Sequence, residues 1–324
     1  GTGGGGSTGG NMVLTDGRIV AAQAVNTTYG GALTGSGGFV KSGGGLLELT
    51  GNNTLTGGIM LTDGYLDLNS PVGNSGPGVI TNGGWIYVSN GNNQFSTNTI
   101  MVIPAIGTPG GARYGVLELD GKNETIRGLS GGNASWGYIE AAQNRANGSF
   151  SILTLNTWDP ADNFAYYGSV RNQSGTLALT KTGSGTQTLS GAQITYTGAT
   201  TINQGRLVLS GGGTCWSSGY AIETGAVLEL NATGSGFLDI RGSGSTTGAG
   251  TMTKTGPGTF RFSFEARTIS MGAGSLIDVR QGSFDANSAA NKTWSGNLSS
   301  LNIAAGATFD EIGYTASRFD ALTG

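Results

Sequence analysis

Three stretches of this chain are variants of one pattern. The first is Val40-Lys41-Ser42-Gly43-Gly44-Gly45-Leu46-Leu47-Glu48-Leu49. The second is Leu179-Thr180-Lys181-Thr182-Gly183-Ser184-Gly185-Thr186-Gln187-Thr188-Leu189, and the third Met252-Thr253-Lys254-Thr255-Gly256-Pro257-Gly258-Thr259-Phe260-Arg261-Phe262. Each is a Lys-x-Gly-x-Gly turn that runs into an alternating apolar strand. A turn–strand unit used repeatedly points to a repeat architecture, in which like units stack and bury a continuous core between them. The functional question therefore turns first to what lies along an extended surface, and only then to a cleft.

The 63 glycines among 324 residues fit such a chain. They show no Gly-X-Y period and are accompanied by only 6 prolines, so collagen is excluded. Recurring Val/Ile/Leu alternation argues against disorder, which leaves turns as the use of the glycines. Charged residues are 11% of the chain and the net charge is −3. Nucleic acid, which is held by clustered Lys and Arg, is not an expected partner. An uncharged polar ligand suits the surface best. Histidine is absent and Cys215 is the single cysteine, so no intrachain disulfide can form and neither metal nor cofactor is expected. No apolar run is long enough to span a bilayer, and membrane insertion is not expected. The chain opens and closes in mid-pattern and reads as a segment of a larger secreted protein.

Short strands follow glycines throughout: Gly64-Tyr65-Leu66-Asp67-Leu68, Gly84-Trp85-Ile86-Tyr87-Val88, Gly115-Val116-Leu117-Glu118-Leu119, Gly205-Arg206-Leu207-Val208-Leu209 and Gly225-Ala226-Val227-Leu228-Glu229-Leu230 among them. Alternation places Leu66, Leu68, Ile86, Val88, Leu117, Leu119, Leu207, Leu209, Leu228, Leu230, Ile277 and Val279 inward. Asp67, Tyr87, Glu118, Val208, Glu229 and Asp278 would then face out. No long stretch carries a helical period. Antiparallel sandwiches space their strands more closely, with hairpin turns. Recurrence of one turn at one phase of each unit, at steps near 20 residues, predicts a parallel β-helix. Asparagines at strand ends, such as Asn53, Asn92, Asn93 and Asn302, suit tight turns and could bond to one another in ladders. The expected fold is all-β: one right-handed parallel β-helix over residues 1–324, with inserted loops near 156–168 and 213–220.

Residues 177–209, from Leu177-Ala178-Leu179-Thr180-Lys181 through Thr200-Thr201-Ile202-Asn203-Gln204-Gly205-Arg206-Leu207-Val208-Leu209, closely resemble the autotransporter-associated β-strand repeat. Residues 40–68 and 252–279 are similar but degraded. The resemblance implies a right-handed parallel β-helix in a secreted or surface protein of a bacterium, and implies little about activity. In size and composition the chain also looks like the β-helical carbohydrate-binding modules attached to xylan-degrading enzymes.

Aromatic residues carry the strongest hint of a ligand. Trp85 with Tyr87, and Trp136 with Tyr138, are two apart and so share a strand face. A narrow interior favours Val, Ile and Leu, which places these pairs outside or beneath a loop. The run Asn156-Thr157-Trp158-Asp159-Pro160-Ala161-Asp162-Asn163-Phe164-Ala165-Tyr166-Tyr167-Gly168 breaks the repeat and reads as a functional loop. Within it Trp158, Tyr166 and Tyr167 would stack on sugar rings while Asp159 and Asn163 orient hydroxyls. The competing reading has Trp158 and Phe164 capping exposed core. Trp216 belongs to a smaller run of the same kind, and Trp294 reads as packing. Paired carboxylates for glycoside hydrolysis are limited to Glu118 with Asp120 and Asp159 with Asp162. Arg113, Lys122 and Arg127 near Glu118 keep a lyase in view. The Lys-x-Gly-x-Gly turns precede no helix and read as structural, not phosphate-binding.

The leading expectation is a noncatalytic module, covalently linked to a secreted glycoside hydrolase. It would bind a neutral plant polysaccharide, xylan foremost, by stacking and hydrogen bonds. The alternatives are an autotransporter-type passenger or adhesin stalk, and a polysaccharide lyase or hydrolase.

Overall fold

The computed structural model describes residues 9–71, 78–104, 115–132, 137–140, 148–191, 193–234, 236–262, 267–286, 292–311 and 317–324. Among these residues every regular element is a β-strand. Their pairings are parallel throughout, so the expected parallel β-solenoid is the fold. Two compact units form, residues 1–156 with 167–177, and residues 157–166 with 178–324.

In the second unit the chain visits three sheets in turn. A typical coil runs Thr200–Ile202, Arg206–Gly211 and Thr214–Trp216, and the next runs Tyr220–Ile222, Val227–Ala232 and Phe237–Arg241. Each strand pairs in register with its counterpart one coil later, as Arg206 does with Val227 and Val227 with Thr251. Parallel neighbours separated by a whole coil are what a winding chain requires, since hairpin-linked strands would be antiparallel. The first unit winds in the same manner. Its best-developed sheet orders Thr27–Tyr29, Leu46–Leu49, Tyr65–Leu68, Trp85–Val88, Gly115–Glu118, Gly137–Glu140 and Ser169–Arg171.

All twelve residues expected inside are buried. Each Leu, Ile or Val so placed contributes roughly 1.5–3 kcal/mol relative to exposure. The interior is wider than the sequence suggests. Phe260, Phe262 and Phe284 are fully buried, with ring centroids 4.8 to 6.0 Å apart at steep angles. Trp294 packs inside as expected. Tyr166, Tyr196 and Tyr220 are also interior, and the Tyr196 hydroxyl is 2.7 Å from Thr200 Oγ1.

Of the six residues expected outside, Tyr87 and Glu229 are partly exposed, but Asp67, Glu118, Val208 and Asp278 are buried. Strands stacked at about 4.8 Å place equivalent side chains against each other, and a short one disappears between its neighbours. Asp278 illustrates this, accepting from Arg280 Nε at 2.5 Å on one oxygen and from Asn302 Nδ2 at 2.8 Å on the other.

The asparagines act differently from the expected ladder. Asn92 Oδ1 accepts from the backbone N–H of Asn123 at 2.8 Å, and Asn123 Oδ1 from that of Ile152 at 2.9 Å. Asn53 Oδ1 likewise accepts from Leu33 N at 2.9 Å. Their amides thus tie a turn to the backbone of a neighbouring coil, satisfying donors that no strand pairs.

Candidate functional site

The repeated Lys-x-Gly-x-Gly motif has a definite structural job. Lys41, Lys181 and Lys254 are completely buried. Lys181 Nζ donates to the carbonyls of Thr182 and Gly183, each at 2.7 Å, and to that of Gln204 at 3.2 Å. Lys254 does the same with Thr255, Gly256 and Gln281 at 2.7, 2.8 and 2.9 Å. Lys41 reaches Ser42, Gly43 and Asp63 at 3.0, 2.7 and 3.4 Å. An ammonium has three donors, and here each is aimed at a carbonyl: two from its own turn and one from the turn of the next coil. That third carbonyl always precedes a glycine with positive φ, Gly64, Gly205 or Gly282. A Cβ at any of these glycines would strike backbone carbonyls of the turn beneath. Glycine brings the turns close, and lysine staples them. Burial pushes Lys181 and Lys254 down to about 8, so both remain charged at neutral pH.

The staple is not confined to one phase of the coil, in contrast to the expectation. The Lys181 turn joins the strand Thr176–Thr182 of one sheet to Thr186–Leu189 of the next. The Lys254 turn leads from Thr251–Thr255 to Thr259–Phe262, one corner further on. Two different corners of the coil accept the motif, because it supplies a tight turn and its cation together.

The aromatic candidates separate sharply. Tyr65, Trp85 and Tyr87 gather on the outer face of one sheet in the first unit. Tyr65 is in register with Trp85, and Asp67 with Tyr87. Ring centroids are 6.1 Å for Tyr65–Trp85 and 6.0 Å for both Tyr65–Tyr87 and Trp85–Tyr87. Tyr65 is 41% exposed, and the other two rings are half-buried. One coil back, Glu48 lies in register with Asp67. Its carboxylate accepts from Thr28 Oγ1 at 2.7 Å and Asn69 Nδ2 at 2.5 Å, which fixes it beside the rings. Tyr138 occupies the same register column as Trp85, two coils on through Val116. Trp136 lies outside the described residues, as does the side chain of Tyr138. Tyr65 escaped notice in the sequence because its strand contains one aromatic. Only the register places it against Trp85.

The segment 156–168 is not an inserted loop. Residues 157–162 form a coil corner, and Asn163–Tyr166 is a strand in register with Thr186–Leu189. Tyr166 points inward with no exposed surface, so it presents no ring to a ligand. Alternation along that strand leaves Asn163 exposed, while Asp159 and Asp162 serve the corner itself. Asp159 Oδ1 accepts from Ala161 N at 2.9 Å, and Asp162 Oδ2 from Asp159 N at 3.3 Å. Trp158 in the second unit and Tyr167 in the first are each about half exposed. The run 213–220 is likewise not an insertion, being the strand Thr214–Trp216 and the corner before Tyr220–Ile222. Trp216 lies beside Arg241, whose guanidinium carbon is 5.9 Å from the ring centroid. Burial raises the neighbouring Cys215 thiol to about 12, well away from a thiolate nucleophile. For the carboxylate pairs, Glu118 is buried in its strand, and Asp120 sits in a turn with φ of 45°.

A parallel β-solenoid with stapled turns and, among the described residues, an aromatic cluster on an outer face defines a scaffold-type repeat protein. Residues 39–68 and 179–209 match the passenger-associated transport repeat. Both matched stretches contain a whole staple: Lys41 with Gly43, Asp63 and Gly64, and Lys181 with Gly183, Gln204 and Gly205. Over 251 residues the chain is 30% identical to the adhesin BmaC autotransporter of Brucella suis biovar 1 (strain 1330). That alignment takes in 74% of this chain and only 6% of the relative's length. No solved structure matches. These likenesses suggest a secreted or cell-surface protein. They lend no support to the xylan-module resemblance.

Proposed function

We propose that this chain is part of the passenger of an autotransporter-type surface protein. In this reading it is a rigid β-solenoid segment that carries adhesive surfaces away from the cell. The observation that carries the reading is the coincidence between the matched transport-repeat stretches and complete lysine staples. Residues that lock one coil to the next are present in both matched stretches, and a third staple on Lys254 repeats the device beyond them. A solenoid gains stability from each coil added, which suits a chain that folds after crossing a membrane. Similarity to a protein named an adhesin supports surface attachment as the purpose of the assembly. A covalently linked glycoside hydrolase is not part of this proposal.

The test is export. Fused ahead of an outer-membrane β-barrel in a Gram-negative host, the segment is expected to reach the cell surface and resist added protease as a folded unit. Retention in the periplasm, or rapid digestion of the displayed segment, contradicts the reading.

A further inference from the structure

We infer that the outer face around Tyr65, Trp85 and Tyr87 is a binding site for a neutral β-linked oligosaccharide. The first support is geometric. Three aromatic rings from two successive coils meet within about 6 Å of one another on a sheet surface. Beyond Tyr65, the exposed aromatics among the described residues are Phe150, Trp158, Tyr167 and Phe237; here an exposed ring has two partly exposed ones gathered against it. Collecting three rings outside keeps apolar surface in water that the core could have taken, which is the ordinary mark of a recognition surface.

The second support is chemical. Aromatic faces are electron-rich and attract weakly positive C–H groups, which a pyranose with equatorial hydroxyls presents on both faces. Tyr65 and Trp85 come from consecutive coils, whose step of about 4.8 Å is close to the length of one β-1,4-linked residue. Tyr65 and Tyr87, also from consecutive coils, lie within 21° of parallel and can meet consecutive sugars, while Trp85 stands at 71° to Tyr65 beside them. The third support is charge. Glu48 lies in one register column with Asp67 and Tyr87, and of the carboxylates in that column Glu48 is partly exposed while Asp67 and Glu118 are buried. A partly exposed carboxylate at Glu48, whose register partners Thr28 and Asp67 carry no positive charge, disfavours uronic acids, sulfated glycans and nucleic acid there, leaving an uncharged glycan. Glu48, held by Thr28 and Asn69, borders the patch as a fixed acceptor, and the sheet beneath is stiff, which limits the ordering cost of binding. The site is additional to the passenger reading and does not depend on it.

The experiment is titration of the intact chain with hexasaccharides of β-1,4-linked xylose, glucose, N-acetylglucosamine and mannose, with hexagalacturonate as the anionic arm. Binding is read from Trp indole N–H resonances, with the Trp85 signal assigned by Trp85→Phe. At least one neutral sugar is expected to shift the Trp85 signal, and dimers to bind at least tenfold more weakly than hexamers. Tyr65→Ala and Trp85→Ala are expected to lower affinity at least tenfold with an unchanged circular dichroism spectrum. Trp158→Ala, which removes an exposed ring from the other unit, should leave binding intact. Tyr65→Ser and Tyr65→Val, both tolerated at an exposed strand position, guard against a folding artefact of any one variant. The proposal is overturned if no neutral sugar binds at millimolar concentration, if the Tyr65 and Trp85 variants bind like the parent, or if the anionic arm binds best. Any of these results leaves the export test untouched.

Discussion

A buried lysine is uncommon unless its charge is fully engaged. Lys181 and Lys254 satisfy that condition by taking three carbonyls each. Lys254→Met keeps the volume and removes the donors, leaving three carbonyls unserved in a buried turn. A loss of at least about 2 kcal/mol in urea unfolding is expected. The same residue makes a pH prediction. Its folded pKa, near 8, lies below the unfolded value of 10.5, so unfolding takes up a proton between those limits. Stability conferred by this group therefore rises as pH increases from about 8 to about 10.5. Cys215, Tyr196 and Tyr220 work in the opposite direction, because burial raises all three and ionisation on unfolding then favours the unfolded chain at high pH. Subtracting the Lys254→Met profile from that of the parent isolates the lysine. The difference should grow in favour of the parent across that window, and a flat difference would show that Lys254 has an unshifted pKa.

Among the elements, the turn was the part most open to inspection from sequence. The Lys-x-Gly-x-Gly repeat, the alternating strands and the twelve inward residues were all legible, because each rests on local periodicity. What the lysine does was not legible, since one of its three partners lies on the next coil, 22, 23 or 27 residues away. Register decided the rest. It placed Tyr65 against Trp85, turned Tyr166 inward, and made a corner and a strand of each of two stretches that broke the pattern in sequence. Those stretches looked like insertions because corner composition varies freely, and in the first of them the strand Asn163–Tyr166 is short and aromatic. The glycines allow a paired test of the turn geometry. Gly205 and Gly225 share positive φ values of 68° and 79°. A Cβ at Gly225 has open space, whereas at Gly205 it meets the carbonyls of Gly183 and Gly185. Gly225→Ala should cost only the backbone strain of about 1–2 kcal/mol. Gly205→Ala should cost clearly more, by thermal or urea unfolding, because the obstructing carbonyl of Gly183 is also the one Lys181 holds. Equal costs would mean that the stacked turns relax freely.

At the scale of the molecule, parallel pairing between successive coils is the feature on which the passenger reading and the sugar site both stand. A rigid stack carries a surface outward, and its coil step sets the spacing of the rings. The direct measurement is chemical cross-linking in register, in a Cys215→Ser background. Thr186 and Arg206 are partners on adjacent coils, whereas Val227 lies one coil further, opposite Arg206. A short bis-methanethiosulfonate, which each thiolate attacks to form a disulfide with loss of methanesulfinate, should join Thr186→Cys to Arg206→Cys rapidly and nearly completely in the native protein. Thr186→Cys with Val227→Cys, roughly twice the strand spacing of about 4.8 Å apart, should remain unjoined. Failure of the first pair, or equal reaction of both, would contradict the stacked parallel coil.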